Sequence, residues 1–174
     1  MKPLLFVHVP KCGGTSILTQ REIELANDAG SPSHQLISEM PLAKHFKTFT
    51  FVRSPYTKIY SAYSFCKRNE SRAKTMGIEN LTFEEFILSL PAKIESRLFI
   101  PQWDFVTING DYAVDLTGKF ETLQEDWELI SGATMKLPRE NTGDGQRWAV
   151  WTDEMKDIVY DRYKVDFKMF DYDK

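Results

Sequence analysis

Phe6-Val7-His8-Val9-Pro10-Lys11-Cys12-Gly13-Gly14-Thr15-Ser16-Ile17 changes character twice along its length. An apolar, β-branched run gives way to Pro-Lys-Cys-Gly-Gly, and Thr15-Ser16-Ile17-Leu18 then suits a first helical turn. The reading is strand, glycine turn, helix. A helix N-terminus leaves backbone N–H groups without intrahelical partners and carries partial positive charge, so it holds anions. Gly13 and Gly14 let the backbone close on phosphate oxygens with no Cβ in the way. Lys11 adds a mobile point charge, the loop from Cys12 to Ser16 adds N–H groups, and Thr15 and Ser16 add hydroxyls. A strand-to-helix turn whose glycines merely permit close packing is the blander alternative. Lysine, paired glycines and paired hydroxyls so close together favour the anion cradle.

Working outward, residues 4–9 read as a strand covered on both faces. Residues 15–28 read as a helix, and 27–33 as a breaker cluster with His34 at its far end. A short amphipathic segment follows around Leu36 to Met40. Phe46 to Val52 alternates and is rich in β-branched and aromatic residues, which predicts a second strand. It stops at Arg53-Ser54-Pro55, where Pro55 suits the first turn of a helix running through Phe65 and carrying Ser61. Ligands of parallel sheets gather at the carboxyl ends of strands, so Arg53 is expected near Lys11. Arg53 offers a bidentate phosphate contact and Ser61, eight residues on, a hydroxyl.

Further along, Lys67 to Lys74 reads as an exposed basic stretch, and Leu81 to Ile87 as a helix capped by Thr82 with Glu85 three residues later. Asn109-Gly110-Asp111 marks a turn, a strand is expected around Lys119-Phe120, and a helix over Leu123 to Ile130. Leu137 to Gln146 reads as a loop and Thr152 to Phe167 as one amphipathic helix. Strands alternating with helices imply an α/β class with a mainly parallel sheet flanked by helices. The length of 174 residues implies one domain over 1–174 with a core that needs no disulfide or metal.

The net charge of -3 argues against a general nucleic-acid binder, so an anionic ligand must be met by a local cluster of positive groups. Cys12 and Cys66 form no metal pattern and read as thiols of a reducing compartment. No run approaches the roughly 20 residues of a membrane span, and Met1-Lys2-Pro3 leads directly into the first strand without a secretory pattern. With Met1 as the native start, the expected location is cytoplasmic. A catalytic domain cut from a longer secretory-pathway enzyme is the alternative.

Lysine ahead of the glycines is the reverse of the common nucleotide loop, G-x-x-x-x-G-K-[ST]. This order resembles the 5′-phosphosulfate loop of sulfotransferases that use 3′-phosphoadenosine 5′-phosphosulfate (PAPS), above all the membrane-type carbohydrate sulfotransferases and their bacterial relatives. Phe51-Val52-Arg53-Ser54-Pro55 with Ser61-Ala62-Tyr63 resembles that family's 3′-phosphate motif at the same Arg-to-Ser spacing, Ser54 replacing a frequent Asp or Asn. Pro101-Gln102-Trp103-Asp104-Phe105, Gly118 to Leu123, Leu137 to Asn141 and the segment from Val159 to Tyr172 resemble later blocks in the same order. The segments after the first helix and after Asn141 are short for the family, in the region that shapes the acceptor site.

The resemblance implies a P-loop NTPase-like sulfotransferase fold and transfer of a sulfuryl group from PAPS to an acceptor hydroxyl, on a carbohydrate first of all, without a metal. Lys11 would meet the leaving oxygen, the loop of Cys12, Gly13, Gly14, Thr15 and Ser16 the 5′-phosphate, and Arg53 with Ser61 the 3′-phosphate. A hydroxyl acceptor benefits from a general base near neutrality. His34 is the candidate, because relatives place a basic histidine between the two phosphate elements, and Glu39 is the runner-up. His8 reads as structural and His45 as a surface residue. Trp103, Trp148 and Trp151 would stack on sugar rings or, more blandly, pack in the core. Two alternatives stay open: a nucleotide-dependent kinase or NTPase of similar architecture, and a non-catalytic anion-binding homologue. The sequence leaves oligomeric state open.

Overall fold

The computed structural model describes residues 3–19, 34–90, 96–132, 136–138 and 150–174. In chain order its elements are β1 (Leu4–Val7), α1 (Gly14–Leu18), 3-10 turns at Ile37–Glu39 and Ala43–His45, β2 (Lys47–Val52), α2 (Pro55–Lys67), α3 (Glu70–Thr75) and α4 (Phe83–Leu88). There follow α5 (Gln102–Phe105), β3 (Thr107–Ile108), β4 (Asp111–Tyr112), β5 (Leu116–Lys119), a 3-10 turn at Phe120–Thr122, α6 (Leu123–Ser131), α7 (Asp153–Arg162) and α8 (Lys164–Met169). The chain is α/β, as the alternation of patterns predicts. It folds as two compact units, one of residues 1–53 with 102–143 and the other of 54–101 with 144–174.

The first unit is built on a parallel sheet of order β1-β2-β5. Its register pairs Phe6 with Phe49 and Val52 with Lys119. β2 is central, and everything in it after Lys47 is buried. That is why its phenylalanines and threonines both point into packed surroundings. On one face Phe49 stacks on Phe6 at 5.0 Å between centroids, meets Phe51 edge-on at 6.3 Å and reaches Trp127 of α6 at 5.9 Å. Burying rings of this size contributes about 2–3 kcal/mol each relative to leaving them exposed. The buried threonines satisfy their hydroxyls locally: Thr50 Oγ1 donates to Val7 O at 2.8 Å, and Thr48 Oγ1 to Asp115 Oδ2 at 2.9 Å. β5 passes into α6 through Asp126, whose carboxylate accepts from Lys119 N and Thr122 Oγ1, both at 2.7 Å. β3 and β4 form a hairpin around the expected Asn109-Gly110 turn.

The second unit is helical. Ile59, Ala62 and Cys66 of α2, Phe86 and Ile87 of α4, Phe99, and Met155 and Val159 of α7 share one buried cluster. The cap at Thr82 is present as read: Glu85 N donates to Thr82 Oγ1, and Thr82 N donates back to Glu85 Oε2 at 2.7 Å. Those hydrogen bonds hold the Glu85 carboxyl below its usual range.

Several boundaries differ from the sequence reading. The basic stretch contains α3, because Asn69 Oδ1 caps it by accepting from Arg72 N at 2.8 Å and Ala73 is buried. Arg72 lies 4.0 Å over the Phe65 ring rather than out in solvent. The strand expected around Lys119-Phe120 ends at Lys119, and Phe120 already begins a 3-10 turn. The single helix expected over Thr152 to Phe167 is two, parted at Tyr163 with φ -110° and ψ 23°. There the Tyr163 hydroxyl donates to Phe99 O at 2.6 Å, a buried bond that anchors the break to the neighbouring segment. Of the helix expected over 15–28, the described part is Gly14–Leu18; the breaker cluster, Arg139 to Asn141 and Trp148 lie outside the described residues.

Candidate anion site

Parallel strands place their carboxyl ends on one side, and three connections of the first unit start there. The loop Lys11–Gly13 follows β1, Arg53 follows β2, and Phe120 follows β5. Arg53 is next to the loop, as its place at the end of the second strand implies: Nη1 donates to Lys11 O at 3.1 Å. Its guanidinium lies 4.0 Å above the Phe120 ring, which supports the planar fork from beneath.

The loop turns sharply because Lys11 and Gly13 both occupy the left-handed region, at φ 66° and 85°. Alternation of left- and right-handed residues points successive N–H groups into one concavity that suits an anion. Ser16 N and Ile17 N donate to Gly13 O at 3.0 and 3.3 Å, starting α1 directly from the turn. Thr15 is exposed, Ser16 is buried, and Cys12 is buried as a thiol outside any disulfide.

The glycines have a packing reason as well as a conformational one. A Cβ on Gly14 would enter the His8 imidazole, and a Cβ on Gly13 would come within 2.9 Å of Leu123 Cδ2. His8 is therefore the floor of the loop, in line with its structural reading. Burial pushes its imidazole down to about 3, with the charges of His34 and Lys11 adding to the effect. It is neutral at physiological pH.

His34 stands beside His8, with ring centroids 4.2 Å apart. Its Nδ1 lies 3.3 Å from His8 O. A carbonyl only accepts, so this bond puts the proton on Nδ1 and leaves Nε2 as the basic nitrogen. The runner-up, Glu39, is exposed and caps its own 3-10 turn, accepting from Leu36 N at 3.0 Å. His45 is exposed. Ser61 lies half-buried on α2 in the second unit. Trp103 stacks on Tyr112 at 5.8 Å, and Trp151 packs against Tyr56 and Phe83.

Sequence reasoning overlooked three contributors. Phe120 supports Arg53, Leu123 closes on Gly13, and the fully buried Gln102 bonds the main chain of Arg53. Gln102 had one legible signal, a polar residue at the start of an otherwise aromatic and apolar block. A separate cavity of about 400 Å³ is lined by Ile37, Lys44, Phe46, Thr48 and Asp115, at the amino ends of β2 and β5, away from the loop.

Across almost the entire chain, residues 2–173, the sequence matches a family model described as the sulfotransferase family. No curated protein and no solved structure matches it.

Proposed function

The chain belongs to the sulfotransferase family, and we propose that its sulfuryl donor is PAPS and its acceptor a hydroxyl on a carbohydrate. The observation that carries this reading is the meeting of the Lys11 loop with Arg53 at the carboxyl ends of adjacent parallel strands. A donor with a 5′-phosphosulfate and a 3′-phosphate needs two cationic positions, and lysine and arginine supply them in an otherwise acidic chain. The left-handed backbone at Lys11 and Gly13 fits a tetrahedral anion held by N–H groups.

PAPS supplies an activated sulfuryl group on a phosphate leaving group. The loop from Cys12 to Ser16 binds the 5′-phosphate through backbone N–H and hydroxyl donors. Lys11 neutralises the oxygen that becomes negative as the sulfur–oxygen bond to the phosphate breaks. Arg53, with Ser61, binds the 3′-phosphate and fixes the nucleotide in register. His34 Nε2 takes the proton from the acceptor hydroxyl as its oxygen bonds to sulfur. The products are a sulfate ester and adenosine 3′,5′-bisphosphate.

Two titrations test the donor assignment. Adenosine 3′,5′-bisphosphate is expected to bind more tightly than ADP or ATP, because only it presents a phosphate to Arg53 at the 3′ position. Equal or stronger ATP binding by calorimetry would favour a nucleotide-dependent kinase. Arg53→Ala is expected to weaken bisphosphate binding by about 1.5–3 kcal/mol, the range for a charge-assisted hydrogen bond. Unchanged affinity in that variant would remove Arg53 from the site.

A further inference from the structure

We propose that Gln102 is a positioning residue, which holds Arg53 in the orientation that binds the donor's 3′-phosphate; this rests on the donor assignment above. β2 loses its ladder partner at Val52, which pairs with Lys119 in the last register position. The next peptide groups, those of Arg53, need other partners. Gln102 supplies them from the first position of α5: Arg53 N donates to Gln102 Oε1 at 2.8 Å, and Gln102 Nε2 donates to Arg53 O at 2.7 Å. One side-chain amide thus replaces the peptide of a missing neighbouring strand. Its orientation is set, because a flip would place oxygen against oxygen and N–H against N–H.

The same Oε1 lies 3.2 Å from Cys12 Sγ, so the amide also reaches the loop after β1. Arg53 returns to that loop through Nη1 and Lys11 O at 3.1 Å. Gln102, Arg53, Lys11 and Cys12 therefore close a ring that joins the ends of β1 and β2 to the start of α5. Gln102 is fully buried, so its bonds are made away from competing water. The thiol contact is the weaker one. The main consequence of losing the amide thus falls on the Arg53 main chain, and through it on the direction of the guanidinium.

Gln102→Met keeps the length and the apolar volume and removes every one of these bonds. In steady-state kinetics with PAPS, KM for the donor is expected to rise by about tenfold or more, while kcat at saturating donor stays within about threefold. A merely structural role would instead reduce the amount of active enzyme and leave KM unchanged. If Gln102→Met fails to fold, Gln102→Glu takes its place. It keeps the acceptor for Arg53 N and loses the donor to Arg53 O, and the same split is expected. A normal KM in the folded variant, or a loss confined to kcat, overturns the proposal.

Amide hydrogen exchange separates this outcome from failure of the donor assignment. In Gln102→Met, which removes the acceptor of the Arg53 N–H, that amide is expected to exchange faster than in the wild type without any ligand present. For Gln102→Glu, which keeps the acceptor, the KM split alone is the test. Unchanged exchange in Gln102→Met overturns the positioning role whatever the donor is. If the wild type does not bind adenosine 3′,5′-bisphosphate at all, the donor assignment fails, and faster exchange still supports Gln102 as the residue that positions Arg53.

Discussion

Lys11→Ala is expected to lower turnover at saturating donor by about 10²–10³-fold, the usual cost of removing one preorganised charge from a developing oxyanion. The change is unusually clean in this loop. Lys11 already has φ 66°, so alanine meets the same backbone conformation as lysine, and the Lys11 carbonyl that accepts from Arg53 is retained. What disappears is the ammonium group. Because its charge matters most as the leaving oxygen becomes negative, affinity for adenosine 3′,5′-bisphosphate is expected to change far less than turnover. Single-turnover kinetics beside calorimetry separates the two. A variant that loses only donor affinity and keeps the wild-type rate at saturation would assign Lys11 to ground-state binding.

His34→Ala carries the second large effect, an expected loss of about 10²–10⁴-fold in turnover, the range for removing a general base. Bisphosphate binding is expected to survive. The Nδ1 contact to His8 O leaves Nε2 as the ring nitrogen that can take up a proton. The wild-type pH–rate profile is expected to rise along an ascending limb that the variant lacks. His8 does not account for that limb, since its imidazole is held down to about 3 and stays uncharged across the working range. Parallel assays of Glu39→Gln and His45→Ala identify the base by elimination. Full activity in His34→Ala with an inactive Glu39→Gln would move the role to the carboxylate. Full activity in all three would mean an acceptor that ionises unaided, such as an acidic phenol.

The parts of the fold that were legible in the sequence are those governed by local chemistry. β2 announces itself through alternating phenylalanine and threonine, the turn after it through Arg53-Ser54-Pro55, and α4 through its reciprocal cap. The neighbourhood of Lys11 and Arg53 followed from one topological rule about parallel strands. Long-range partners were not legible. That Gly14 must be glycine because His8 lies under it depends on how β1 exits the sheet. That Gln102 completes β2 depends on a contact across 49 residues of chain, which no local pattern encodes. The break at Tyr163 is of the same kind: its helical periodicity is continuous, and the hydroxyl at the break is bonded to Phe99 O, 64 residues away in the chain. α3 was hidden for a different reason, since a run of charges resembles a solvated loop until one buried alanine and one asparagine cap are noticed.

Transfer of label from sulfur-labelled PAPS, in EDTA, to a panel of glycans, phenols and lipids tests the central claim most directly. Labelled carbohydrate, with release of adenosine 3′,5′-bisphosphate and little sensitivity to the chelator, is the expected result. No transfer to any acceptor, together with magnesium-dependent phosphoryl transfer from ATP, would contradict it.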